Sequence, residues 1–502
     1  MIENKHGTTA IDKGVYVIHN DELKIVPEVN FSINPEKNTF GENNVAKCNI
    51  LSSSRGLIIH YFLLLILGLL TWGLVWCAFG DEWCWNGRWF RAAAVAAVAW
   101  GSGHLLQAST TLPPLMAALA TGIIARNIGY LDMRHYTEID GFLRKIYPVV
   151  ILGKASLGWD VYYMRKNWRL VAALGVVPWL LEVCTLAVCM RLFLNYPWIW
   201  GFLLGSIYAS VSCAVVMPTV QQLSAGKEHL KKWPQLVCTA GGTDTALSVG
   251  VFGVIHSVIF HHGDNDVYRY CKAAFALLLG AALGVSWGSL ARFLPDARDC
   301  YKTELRILFV LIGGLFASFL TSHYGWGGTA GVAVLACNAT AATHWARDGW
   351  RLNQNPASTT YRVLWSALEP GLFAYTGTFF VIKPLMTKLM LIGFGILLIC
   401  LSVRLIAAYV LCRDMTPRER LFFCCTWIPK SIVEAVLCPV ALNTLLMKSS
   451  RDNPQTEYAE DLMRLIVQAI LVTTPIGYLL TKYLGAFLLK EKNKKYVNES
   501  ES

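Results

Sequence analysis

Apolar residues in this chain run in long unbroken stretches parted by short polar connections, and that pattern predicts helices that cross a membrane. About fourteen such stretches are legible. They cover residues 56–79, 89–106, 111–131, 142–158, 169–194, 198–220 and 236–260 in the first half. The second half holds 273–293, 305–322, 326–342, 363–382, 389–412, 422–447 and 462–484. The runs are continuously apolar and do not alternate as a barrel wall would. Helices are therefore the spanning element, because lipid offers no partner to a free backbone group. The expected fold is all-α and polytopic.

Two stretches carry interruptions. The sixth contains Ser210-Val211-Ser212-Cys213-Ala214-Val215-Val216-Met217-Pro218, and the thirteenth contains Trp427-Ile428-Pro429-Lys430-Ser431. Proline inside a helix removes a hydrogen bond and frees carbonyls. A single such proline is a kink; interrupted helices at matching places in two halves point to a transporter's midplane site. The matched triplets are stretches five to seven and twelve to fourteen. Residues 56–485 are thus expected to form the membrane domain, with core helices in 169–260 and 389–484. Residues 1–55 read as a disordered cytosolic tail with no signal-peptide pattern, and 486–502 as a second cytosolic tail.

Composition agrees with this reading. Of 502 residues 55% are hydrophobic and 15% charged, where a soluble protein carries about 25% charged residues. The net charge of +11 is spread over short connections and not gathered on one stretch, which argues against nucleic acid as a partner. Lys and Arg favour the connections after even-numbered stretches (Arg165, Lys166; Lys227, Lys231, Lys232; Arg298, Lys302; Arg347, Arg351; Arg413, Arg418, Arg420). That bias places both termini in the cytosol, with the plasma membrane as the expected location. The sequons at Asn30, Asn338 and Asn498 are then chance matches. The 15 cysteines are scattered without metal-ligand spacing. Cys77 and Cys84 flank one outward connection, where a local disulfide stands as the alternative to two free thiols. Gly280, Gly284 and Gly288 read equally as a helix contact face or as ordinary membrane-helix glycines. No nucleophile–base pair, metal motif or cofactor loop marks an enzyme.

An ionisable side chain in mid-bilayer costs about 2.5–3.5 kcal/mol or more, so each one asks for a reason. Five stand out: Glu182, Asp244, Glu369, Arg404 and Lys430. Glu182 and Arg404 read as a mutually neutralising packing pair. Asp244 reads as functional, since Gly241, Gly242, Thr243 and Thr245 open the helix around it. Lys430 stands where broken-helix ends meet, placed to offset carbonyl ends.

With these residues assembled, the chain resembles the NHA branch (9B subfamily) of the animal sodium/hydrogen exchangers, within the monovalent cation:proton antiporters. The landmarks are Leu112-Pro113-Pro114 with 122–127, Gly158-Trp159-Asp160, Pro178 with Glu182, 211–218, 240–247, Val403-Arg404-Leu405 and 427–430. The resemblance implies an inverted-repeat antiporter fold with two crossing broken helices, a dimerisation domain, and a homodimer whose core moves as an elevator. It implies that Glu182 and Arg404 pair across the repeats, and that Lys430 is the basic residue of the second broken helix. Asp244 falls in the family's paired-aspartate motif. The implied ion site is Asp244 with Thr243, Thr245, Ser212 and Cys213, taking Na+ or Li+ in exchange for H+, with no cofactor and no metal beyond the transported sodium.

The departures change the expectation. The second acid of the pair is Thr245, which offers a hydroxyl oxygen but no proton exchange near neutral pH. Cys213 replaces a proline, and Glu369 and Glu434 stand where glutamine is expected. One remaining motif acid predicts electroneutral exchange of one cation for one proton around Asp244. The alternative is proton-coupled chloride transport, because Arg404, Lys430 and Lys154 tip the core positive once an acid is lost. A third reading, a non-transporting relative, is opposed by the retention of all four buried charges.

Overall fold

The computed structural model describes residues 17–19, 22–24, 54–225, 227, 230, 232–260, 266–296, 299–350, 355–382, 387–448 and 454–489. Two units are compact on their own contacts, residues 1–84 and 85–502. In the first, β1 (Val17–His19) pairs antiparallel with β2 (Glu22–Lys24), and α1 (Ser54–Phe79) follows. The rest of the expected tail 1–55, and residues 490–502, lie outside the described residues. Cys77 and Cys84 are free thiols.

Among its described residues, the regular structure of the second unit is all helical. It comprises α2 (Arg88–Ser109), α3 (Leu115–Asn127), α4 (Thr137–Ser156), the short α5 (Val161–Lys166), α6 (Trp168–Leu194), α7 (Trp198–Tyr208), α8 (Cys213–Ser224), α9 (Lys232–Phe260) and α10 (Asp266–Leu290). Then come α11 (Lys302–His323), α12 (Thr329–Arg347), α13 (Pro356–Gly377), α14 (Thr387–Leu411), α15 (Pro417–Thr426), α16 (Ile432–Lys448) and α17 (Pro454–Leu479). Each predicted stretch is occupied by a helix, and the sixth and thirteenth by two, α7–α8 and α15–α16. Among the described residues, seven helices are long and apolar enough to cross a membrane by themselves.

Local sequence sets the helix ends. Asn355 caps α13 by accepting the Ser358 N–H at 2.7 Å, with Pro356 at the first helical position. Thr416 and Glu419 form a capping box on α15, again with proline first. Asn195 ends α6 with φ +55°, a left-handed conformation that asparagine tolerates.

Close packing follows small residues. A Cβ placed on Gly280, Gly284 or Gly288 of α10 would stand 2.5, 2.4 and 2.4 Å from carbonyl oxygens of α12. The glycine row is therefore a helix contact face. Asn338, in one chance sequon, is buried in α12 and donates to Val334 O at 2.9 Å.

Helix α4 grips α16 through a buried ion pair. Arg144 Nε lies 2.6 Å from Asp140 Oδ2, and its Nη1 donates to Ala435 O at 2.9 Å and Val436 O at 3.2 Å. Asn443 of α16 donates to the same Asp140 oxygen. The Ala435 carbonyl is free to accept because its helical partner would be Pro439, which has no N–H. Thr376 Oγ1 of α13 donates to it as well, at 3.1 Å.

A second tie joins α9 to α15 near their starts. Lys232 Nζ lies 2.5 Å from Glu419 Oε1. Against the upward push of partial burial, hydrogen bonds from Lys232 and Thr416 hold the Glu419 carboxyl below its ordinary value of 4.5. A carboxyl lowered on folding contributes stability above its unfolded value and ceases to do so as pH falls through the lowered one. Lys232→Gln is thus expected to lower the thermal midpoint at neutral pH by the equivalent of less than about 1 kcal/mol, the pair being partly exposed. Melting curves below about pH 4 should show the difference from native shrinking.

Candidate ion-binding site

Helix α7 stops at Tyr208 and the chain becomes helical again at Cys213; α15 stops at Thr426 and α16 starts at Ile432. The two unwound segments cross. Ser212 N–H donates to Pro429 O at 2.8 Å, and the hydroxyls of Ser212 and Ser431 lie 2.8 Å apart. A helix that ends in the interior leaves carbonyls without partners. Here Lys430 Nζ takes the Tyr208 carbonyl and Arg404 Nη1 takes that of Ala209. Two bases thus sit at the negative end of the α7 dipole, where cations are favoured. The Lys430 ammonium also stands 4.8 Å over the Tyr208 ring. Its backbone is held by α17, with N–H to Thr473 Oγ1 at 3.1 Å and C=O from Thr474 Oγ1 at 2.5 Å.

The carboxylates complete this arrangement. Arg404 on α14 forks between two helices, with Nη1 2.6 Å from Glu182 Oε2 on α6 and Nη2 2.5 Å from Asp244 Oδ2 on α9. Lys430 Nζ lies 2.7 Å from Glu182 Oε1. The other Asp244 oxygen accepts the Val211 N–H at 2.9 Å, from the unwound segment itself. All four charged side chains are at most 1% exposed. Arg404 does more than neutralise Glu182: it ties Asp244 to the same network. The charges of these four balance, and the third base behind the anion reading, Lys154, lies 6.0 Å over the Trp365 ring, outside these ion pairs.

A cavity of about 350 Å³ reaches the crossing. Ser212, Cys213 and Thr245 line it with Gly241, Gly242 and Trp159, and Lys154, Gln221, Ser358 and Arg362 are also on its wall. Asp244 is not among its lining residues. Successive residues of a helix point about 100° apart, so Asp244 turns to Arg404 while Thr245 faces the cavity. A Cβ on Gly241 would stand 1.8 Å from Cys213 Sγ, and one on Gly242 2.3 Å from Trp159 Nε1, so both glycines are required for this approach. The Cys213 thiol donates to Val237 O at 3.3 Å. Thr243 faces the other way, against Gly175 of α6, with its hydroxyl on Thr239 O at 3.0 Å. The structure therefore brings Asp244, Ser212, Cys213 and Thr245 together and leaves Thr243 apart.

Sequence reading passed over Ser431, Tyr208 and the place of Glu434 in this site. Ser431 N–H donates to Glu434 Oε2 at 2.9 Å. The Ser-x-x-Glu spacing of a capping box was the available signal. Tyr208 acts through its backbone carbonyl, which carries no sequence mark.

A membrane-spanning helical bundle with two broken helices crossing at a buried charge network is the architecture of a secondary ion transporter. The chain belongs to the sodium/hydrogen exchanger family, whose transmembrane model matches residues 93–484. Sodium/hydrogen exchanger 9B2 of Homo sapiens is 28% identical over 436 residues, covering 84% of this chain and 79% of that protein. Sodium/hydrogen exchanger 9B1 of Mus musculus is 29% identical over 431 residues, covering 84% and 74%. The sodium proton antiporter MjNhaP1 of Methanocaldococcus jannaschii shares the fold, with a TM-score of 0.60 at 17% identity over 80% of this chain and 99% of that one.

Proposed function

We propose that the protein exchanges a monovalent cation, Na+ or Li+, for a proton by alternating access, with Asp244 as the carboxylate for which the two compete. The observation that carries this is the position of Asp244: it is fully buried, held by Arg404 and the unwound backbone at Val211, and one residue from the cavity-facing Thr245. A cation reaching Thr245 and Ser212 competes with Arg404 for the carboxylate, and a proton on Asp244 competes with both. Glu182, Arg404 and Lys430 hold the crossing together while that exchange of partners takes place. An anion carrier would need an uncompensated base at the crossing, and both bases there are paired.

Gln221, Ser358 and Arg362 line part of the cavity, and we read this as an inward-facing arrangement, with both termini cytosolic from the bias of the basic connections. Helices within 169–260 and 389–484 act as the moving core, and the remaining helices as the scaffold of a homodimer in the plasma membrane. The test is reconstitution into proteoliposomes with sodium, lithium, potassium and chloride gradients compared. Proton movement driven by sodium or lithium is expected, and its absence would sink the proposal. Thr245→Asp places a carboxylate on the cavity wall and is expected to lower the apparent KM for sodium about tenfold, read from the same flux assay. A reversal point that does not move with imposed voltage is expected for one-for-one exchange; a shift would overturn that stoichiometry.

A further inference from the structure

Glu434 is the one carboxyl side chain at the crossing that the mechanism above does not use. It lies in the first turn of α16, 1% exposed, and Oε2 accepts the Ser431 N–H at 2.9 Å. Oε1 is buried without a hydrogen-bond partner. Ser431 meets Ser212 hydroxyl to hydroxyl at 2.8 Å, and the neighbouring Val211 N–H holds Asp244. Three hydrogen bonds thus link Glu434 to Asp244 by way of Ser431, Ser212 and the Val211 backbone, and its charged neighbours include Lys430 and Asp244. The Tyr208 hydroxyl and the Cys438 thiol also feel it. Arg144 on α4 reaches the next two carbonyls of α16, but it is already paired with Asp140.

The charge count then has a consequence. Glu182 and Asp244 are ion-paired with Arg404 and Lys430, and Glu434 is a third buried carboxyl beside them for which no ion pair forms among the described residues. A buried charge without a counter-charge is not sustained; it is paired or takes up a proton. One positive charge completes the network, supplied by one proton or by one monovalent cation.

We propose that Glu434 supplies the second carboxylate of the cation site, taking from the second broken helix the part that position 245 does not play. Binding one cation then releases one proton, and the network keeps the same net charge throughout the cycle. This rests on the cation/proton exchange reading and adds to it the residue that makes the two ions mutually exclusive.

Glu434→Gln is the discriminating variant, because glutamine retains the oxygen that accepts the Ser431 N–H and removes only the charge. If Glu434 is merely a helix cap, the variant behaves as native. The proposal expects a folded protein, judged by a thermal midpoint close to native, whose sodium-driven proton flux falls at least about tenfold. It also expects sodium to stop raising the thermal midpoint, as it does for any ligand that binds the native state. Thr245→Asp added to Glu434→Gln restores the charge count and is expected to restore exchange. Glu434→Asp retains the charge and should still exchange if Glu434→Gln fails to fold. Native exchange that survives Glu434→Gln unchanged overturns the assignment. So does a silent double variant when Thr245→Asp alone is active, or a folded but silent Glu434→Asp. No exchange in the native protein sinks the transport reading and this one with it.

Discussion

Asp244→Asn is expected to abolish cation/proton exchange. The native carboxylate accepts from Arg404 on one oxygen and from the Val211 N–H on the other. Asparagine has a single acceptor oxygen, so whichever way the amide lies, one of these donors faces an NH2 group. Arg404 also loses one of its two carboxylate partners at a fully buried position. Breaking a buried ion pair from one side costs about 3–5 kcal/mol. Even the lower figure corresponds to roughly a hundredfold in a rate or an affinity. Flux at or near background in reconstituted protein, with sodium no longer protecting against heat, is the expected outcome. Native-like flux would remove Asp244 from the exchange chemistry.

The second large effect is expected at Glu182, and it concerns stability. Glu182 is the only acid in the network that serves both bases, at 2.6 Å from Arg404 and 2.7 Å from Lys430. Glu182→Gln leaves Arg404 with Asp244 as its one ion-pair partner and Lys430 with none. A loss of about 3–5 kcal/mol is expected, seen as a large drop in thermal midpoint in detergent. Adding Lys430→Met removes one of the stranded charges, so the double variant should recover part of the loss. A coupling of about 0.5–3 kcal/mol between the two changes is the signature of direct contact. Strict additivity would mean that Glu182 and Lys430 act independently.

Much of the fold was legible because lipid restricts the choices. Continuous apolar runs became helices, with the ends of α6, α9 and α14 within four residues of their sequence limits and the starts of α10, α13 and α17 seven or eight residues earlier than expected. The breaks were harder to place. Pro429 lies inside the unwound segment of the second broken helix, but Pro218 lies inside α8, several residues beyond the break at 209–212. Proline removes a hydrogen bond wherever it stands, yet the chain unwinds where other groups receive the freed carbonyls. Those groups are Arg404 and Lys430, each more than 190 residues from the carbonyl it takes. Long-range partners of this kind leave no local pattern. The Glu182–Arg404 pair was legible through the family resemblance, and Arg404 was expected as a buried partner of Asp244; that one guanidinium forks between both acids was not. Thr243 and Thr245 looked equivalent as neighbours of Asp244. Only the packing against Gly175 on one side and the cavity on the other tells them apart.

Pro439 gives α16 a mechanical property that an uninterrupted helix lacks. Along a regular helix every carbonyl is occupied, and one turn looks like the next to a sliding neighbour. On α16 the Ala435 carbonyl stands open, and Arg144 and Thr376 both seize it. A shift of α16 by one turn along α4 would bring the guanidinium to carbonyls already engaged, while Asn443 would leave Asp140 behind. The contact therefore works as a detent, with one depth of engagement and no equivalent stop a turn away. If the core moves past α4 as proposed, it must release this grip as a whole before it travels, which favours two discrete positions over a continuous slide.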